Sequence, residues 1–237
     1  MSPLTLRIDR LLAPGLLAIA APLAQAQGSC SSDGQLRPLA LVERFISADC
    51  ESCWSDPATP AVKPREVALD WIVPGARGEE APLSAAATRD GLARLAALQR
   101  AVPAGADVAR GKLVAAARSL RVAQGPPLAG YLGASIELKP AGAAPWRAWL
   151  VLVETIPAGT EGTPVPRNLV RNMLQPAWDG RSALSKSEQM RLFESRPMSI
   201  PAGANVERLR VVGWVEDARG HIRAIAQSRC APDTPTP

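Results

Sequence analysis

Cys50 and Cys53 stand two residues apart in "RFISADCESCWSDP". That spacing lets one thiolate attack a disulfide and a second thiol resolve the mixed product. In such chemistry Cys50 is the attacking catalytic group and Cys53 the resolving one. The same spacing equally suits a local structural disulfide that closes a strand-to-helix turn. Asp49 and Glu51 flank Cys50. Two carboxylates a few ångströms away cost a thiolate about 1 kcal/mol each at surface-like dielectric. An acidic flank therefore argues against a strong oxidant, whose reduced form must be stabilised as thiolate.

Compartment decides how the other cysteines are read. The chain opens "MSPLTLRIDRLLAPGLLAIAAPLAQAQGSC". Arg7 and Arg10 give a basic start, Leu11 to Ala21 an apolar stretch, and Ala24-Gln25-Ala26 a small-x-small cleavage site. This is the layout of a secretory signal peptide over residues 1–26, with an apolar run too short to span a bilayer. Cys30 lacks the Leu-like residue three positions upstream that a lipidated cysteine wants. The expectation is a periplasmic or secreted protein that does not span the membrane. In an oxidising compartment the four cysteines, Cys30, Cys50, Cys53 and Cys230, read as paired. Three connectivities are open. Cys50 and Cys53 are close enough to pair locally, which leaves Cys30 for Cys230 as a structural disulfide. A bridge closing so long a loop stabilises by about 4–5 kcal/mol on the chain-entropy model. A four-cysteine zinc site is the alternative, but paired knuckles are missing, so no metal is expected.

Other chemistries fall away. His221 is the only histidine, and no G-x-S-x-G motif offers it a nucleophile. H-E-x-x-H, G-x-x-x-x-G-K-[ST] and G-x-G-x-x-G are absent, and no cofactor is implied. Met173, Met190 and Met198 do not cluster with His221 as a copper site would require. The six tryptophans read as core packing, since their spacing forms no ligand cage. Arg7, Arg10 and Asp9 carry one net positive charge, so the formal +5 falls to +4 once the signal segment is removed. The remaining excess is scattered arginine in an Ala-, Pro- and Gly-rich chain, a codon-composition effect. Basic residues interleaved with aromatics are absent, and no nucleic-acid partner is expected.

The elements that must hold the cysteine pair follow from periodicity. Leu39 to Ile46 reads as a buried strand leading into Cys50, and Val67 to Val73 as a second strand closed by Pro74 and Gly75. "SAAATRDGLARLAALQRAV" predicts a helix capped by Ser84, with Leu92, Leu95, Leu98 and Val102 on one face. "DVARGKLVAAARSLRVA" predicts a second helix capped by Asp107, with Leu113, Ala117 and Leu120 inside. Strand, cysteine pair, strand, helix, helix is an α/β pattern. After "AQGPPLAGY" the pattern changes to about six short strands separated by turns, as in an antiparallel β-sandwich. Leu209, Val211, Gly213 and Val215 alternate as a half-buried strand should, and "EDARGH" reads as a hairpin loop. The fold class is thus α/β plus β, divided into residues 27–125 and 126–230, with 231–237 as a disordered tail.

The stretch "LALVERFISADCESCWSDP" resembles the opening of an exported bacterial family catalogued as domain of unknown function 1223. Glu43, Phe45, Ser47, Cys50 and Cys53 carry that match. "VALDWIVPG" is similar to the family's second strand, and Gly159, Asn168, Val170, Arg171 and Trp178 match a later segment. The resemblance covers most of residues 27–230 in patches. It implies a reduced thioredoxin-like domain, 27–125, followed by the β-sandwich, and it implies no established reaction. A protein thiol or disulfide would then be the partner; a non-catalytic envelope binding or interaction module with structural disulfides is the alternative. One departure is informative. Thioredoxin-fold enzymes carry a Thr-Pro pair before the third strand, and here Pro103 in "RAVPAGADVARG" is the nearest substitute, with no strand expected after it. The loop after the second strand is also shortened, to "PGARGEEAP".

Overall fold

The computed structural model describes residues 30–114, 118–142, 145–178 and 190–230. The expected signal peptide and tail lie outside the described residues, as does Ala117. The fold is mostly β, with two sheets and few helices.

The frame of the cysteine turn comes from two parallel strands. β2 (Ala40–Ser47) and β3 (Glu66–Val73) pair from Ala40 opposite Glu66 to Ser47 opposite Val73. All eight residues of β2 are buried, as befits a strand covered on both faces. One short turn of helix, α1 (Glu51–Trp54), follows β2 directly. The Pro-rich stretch behind it stays irregular until β3.

Helix α2 (Arg89–Ala97) then packs on the β3 face that carries Val67, Leu69, Trp71 and Val73. It is shorter than the predicted helix. Ser84–Ala86 forms a separate 3₁₀ turn, and the backbone turns left-handed at Gln99, with φ 55°. Val102, expected inside, is 53 % exposed.

The second predicted helix is not helical. β4 (Ala106–Lys112) and β5 (Ser119–Leu128) occupy that segment. Leu120, Val122 and Gln124 are buried while Arg121 and Ala123 are only partly so. That two-residue period had been masked by the alanines between the strands. Gly111 also weakens a helix, and here it is needed. A Cβ at that position would stand 2.4 Å from Ile222 Cδ1.

The remaining strands fall where short apolar runs had placed them. They are β6 (Tyr131–Lys139), β7 (Arg147–Ile156), β8 (Arg167–Leu174), β9 (Leu192–Ser199), β10 (Leu209–Glu216) and β11 (Ile222–Gln227). A two-residue β1 (Cys30–Ser31) joins β5, β6 and β9 in an antiparallel four-stranded sheet. The seven-stranded sheet runs β11-β10-β7-β8-β3-β2-β4 and is mixed, so strands from both sides of residue 125 share it. "AQGPPLAGY" is the end of β5 and the turn into β6. The two edges of the large sheet meet at one corner, where the Val114 N–H donates to the Ile222 carbonyl at 2.8 Å.

Three apolar cores result. Leu150, Leu152, Leu209, Val211 and Val215 face the small sheet. Trp149, Val151, Val212 and Trp214, on the alternate positions, face α2. β10 is therefore buried on both faces and not on one, as the alternation had suggested. Gly213 lies where the sheets approach most closely; a Cβ there would be 2.7 Å from Val122 Cγ1. The third core, around Ile46, Trp54, Ile72, Ile156 and Leu169, supports the cysteine turn. All six tryptophans are at most 6 % exposed, in keeping with a packing role.

Cys30 and Cys230 are joined by a disulfide across 200 residues of sequence. Backbone pairing accompanies it: Ser31 and Arg229 exchange N–H···O bonds of 3.1 and 2.9 Å. The two ends of the described chain are thereby fixed beside β5.

Candidate redox site

Cys50 and Cys53 form a disulfide immediately after β2. Both are partly exposed, with Cys50 at the N-cap of α1 and its carbonyl accepting from the Cys53 N–H at 3.1 Å. Ser52 Oγ lies 3.5 Å from Cys50 Sγ. Opposite the pair runs the segment that enters β4. A Cβ on Gly105 would be 3.4 Å from Cys53 Sγ and 3.9 Å from Cys50 Sγ. The Gly105 carbonyl accepts from the Ser47 N–H at 2.7 Å, which fixes this backbone beside the sulfurs. Pro103 is therefore followed by a strand after all, contrary to the sequence reading. Its peptide bond is not cis; the cis bond among the described residues is Lys139–Pro140.

The acidic flank is split by the structure. The Asp49 carboxylate accepts the N–H groups of Ala76 at 2.7 Å and Arg77 at 3.2 Å. It thus ties the loop after β3 to the end of β2, and Gly75 leaves the room it fills. Glu51 is exposed. Asp49 is a loop anchor first, so neutralising both carboxylates no longer tests thiolate electrostatics alone. Asp49→Ala is expected to lower stability by about 1–2 kcal/mol through two lost charge-assisted bonds, read as a lower urea midpoint at unchanged m.

Beneath the turn lies a buried ionic network that motif and spacing do not announce. Asp70, at 0 % side-chain exposure, contacts Arg44 at 2.7 Å and Arg167 at 3.1 Å; these are 4 % and 1 % exposed. Arg167 Nη2 donates to the Trp54 carbonyl at 2.6 Å, to Thr59 Oγ1 at 3.0 Å and to the Cys53 carbonyl at 3.4 Å. Its guanidinium also stacks on Trp54, 5.0 Å from the ring centroid. Trp54 in turn donates from Nε1 to the Glu161 carbonyl at 2.8 Å. Asp70 accepts the Asn168 N–H as well, at 2.9 Å, so one carboxylate joins β2, β3 and β8. The sequence signal was present. Arg44 and Asp70 interrupt the apolar runs "LVERFIS" and "VALDWIV", and a charge inside a buried strand requires a partner. A recess of about 260 Å³ lies beside the turn, lined by Trp54, Pro82, Leu83 and Leu169 and also by Glu161 and Arg171.

On the opposite face of β2, Glu43 holds Arg94 through two bonds of 2.8 and 2.7 Å. Arg94 Nη1 stands 2.7 Å from Glu216 as an ion contact, with the guanidinium over Trp149 and Trp214. Burial works against this charge, but Glu43 and Glu216 together hold the Arg94 pKa above the ordinary arginine range. His221 sits apart, exposed in the β10–β11 hairpin, with Nδ1 3.4 Å from Asp217. Met190 is exposed and Met198 is in the core between the two sheets. Among the described residues no three His, Cys, Asp or Glu side chains gather as a metal site, and no helix is long and apolar enough to cross a membrane.

Comparison with family models, curated proteins and solved structures finds no match to this chain.

Proposed function

We propose that the chain is an exported thiol–disulfide oxidoreductase, with a reduced thioredoxin-like unit joined to a β-sandwich, as in the domain-of-unknown-function family it resembles. Cys50 attacks and Cys53 resolves, and the partner is a protein thiol or disulfide. The observation that carries this reading is the setting of the disulfide. It lies partly exposed after the first of two parallel strands, with the backbone of Gly105 alongside both sulfurs. The succession of strand, cysteine turn, parallel strand, helix and antiparallel strand supports the thioredoxin-like reading. Two disulfides within one chain suit an oxidising compartment, which supports export.

One observation favours the alternative, a non-catalytic envelope module whose disulfides are both structural. α1 has only four residues, which is too little helix to lend Cys50 much dipole stabilisation. Disulfide reduction of insulin by a dithiol, run on wild type and Cys50→Ser, separates the two. Wild-type turnover at least about ten-fold over Cys50→Ser is expected, since the thiolate is the nucleophile. Equal rates would leave only the structural role.

A further inference from the structure

We infer that Arg167, reaching from β8 beneath the cysteine turn, is a positioning residue that both fixes Cys53 and favours the reduced form of the pair. The inference rests on the oxidoreductase reading for its biological meaning, though not for its measurement. The guanidinium is buried, and two of its Nη2 contacts are main-chain carbonyls of α1, at Cys53 and Trp54. The first of these carbonyls belongs to the resolving cysteine itself, 3.4 Å from Nη2. Two arginines share a single buried carboxylate, Asp70. Their other acceptors are neutral: the Pro60 and Pro166 carbonyls for Arg44, and the Thr59 and Thr163 hydroxyls for Arg167 besides the two α1 carbonyls; the Asp56 charge bears on Arg167 only through space. Among the buried groups two guanidiniums therefore face one carboxylate, an excess of one positive charge in a place of low dielectric, while Asp56 is exposed and screened by solvent. Burial first, and then Arg44, hold the Arg167 pKa below the ordinary arginine range although Asp70 pulls it up. A thiolate nearby supplies the missing negative charge.

The redox step balances through an external dithiol. Its thiolate attacks the Cys50–Cys53 bond, and the bond's electron pair leaves on one protein sulfur. The mixed disulfide is then resolved by the second external thiol. The protein gains two electrons, and the dithiol becomes a disulfide. The two protons come from the external dithiol; they pass to the protein sulfurs, or to solvent where a protein sulfur stays as thiolate. An opposite charge close by favours that ionised product, whereas the disulfide has no charge to stabilise. Removing the cation must shift the equilibrium toward the disulfide.

Arg167→Met and Arg44→Met each leave one arginine against Asp70, a paired arrangement that a buried site tolerates better than a lone charge. Arg44 touches no atom of the cysteine turn in the contacts seen, so its variant changes charge without changing those bonds. The experiment equilibrates the full chain with dithiothreitol of fixed reduced-to-oxidised ratio at pH 7, and maps Cys50–Cys53 separately from Cys30–Cys230. Arg167→Met is expected to shift the equilibrium constant about ten-fold toward disulfide, which is about 30 mV more negative. Arg44→Met should move it the same way, and Arg167→Lys should stay within about two-fold, keeping the charge. If Arg167→Met does not fold, Arg44→Met decides. Constants within about two-fold of wild type in both Met variants, or a lysine variant as shifted as methionine, would overturn the inference. No turnover is needed for this readout. An inactive wild type would refute the oxidoreductase reading while the measured shift still decides the role of Arg167.

Discussion

Arg94→Met is expected to be among the most destabilising single substitutions in this chain, costing about 3–5 kcal/mol. Arg94 is 1 % exposed, and it bridges Glu43 on β2 to Glu216 on β10, strands four places apart in the large sheet. Without the guanidinium, two carboxylates at 4 % and 3 % exposure would face each other's side of the core with no central cation. Arg147, 3.8 Å from Glu216 and 42 % exposed, cannot replace it. Stacking on Trp149 and Trp214 would be lost as well, although methionine keeps some of that contact. A domain has only about 5–15 kcal/mol in total, so the urea midpoint should fall steeply. Adding Glu43→Gln and Glu216→Gln to Arg94→Met removes the uncompensated charges, and most of the lost stability should return. A triple variant no better than the single one would show that packing, and not charge, sets the cost.

Opening the Cys30–Cys230 bridge is the other large effect. Cys30→Ser with Cys230→Ser frees a loop spanning 200 residues, worth about 4–5 kcal/mol on the chain-entropy model. The Ser31–Arg229 backbone pair would remain but would have to hold both ends unaided. Thermal unfolding of the double serine variant should therefore begin well below that of the wild type, with β1 and the end of the chain released first. A melting temperature within about 2 °C of wild type would show that the bridge restrains little in the unfolded chain.

Much of this fold was legible because its strands are short apolar runs punctuated by Pro and Gly. β2 and β3 stand within a residue or two of their expected bounds, and β6 to β11 each coincide with a short β-like run of the sequence. Residues 107–123 misled because Leu113, Ala117 and Leu120 satisfy a helical spacing as well as Leu120, Val122 and Gln124 satisfy a strand. Sheet pairing with β2 and with β6 decided the outcome, and no local propensity reports such pairing. Strand order was out of reach for the same reason. Nothing in the run "RNLVRNML" says that β8 will lie beside β3.

The candidate site was legible in its sulfurs and not in its support. Cys50 and Cys53 announced themselves by spacing. Asp49 was read as an electrostatic neighbour of the thiol, whereas it spends its charge on the Ala76 and Arg77 N–H groups. Arg167 was invisible, because it lies 114 residues from Cys53 and reaches it only through the β3–β8 junction. Arg44 and Asp70 could have been flagged as charges within buried strands, but their pairing needs the parallel register that sets Arg44 opposite Asp70.

The most direct measurement is the reduction potential of the Cys50–Cys53 pair in the intact wild-type chain, taken by equilibration in thiol–disulfide buffers with mapping of each bridge. Structural disulfides of exported proteins lie below about −300 mV, and catalytic pairs lie above that. Cys50–Cys53 is expected to reduce reversibly between about −300 and −200 mV, while Cys30–Cys230 stays oxidised and the fold is kept. Reduction of Cys50–Cys53 only below that range, or only together with Cys30–Cys230 as the protein unfolds, would contradict it.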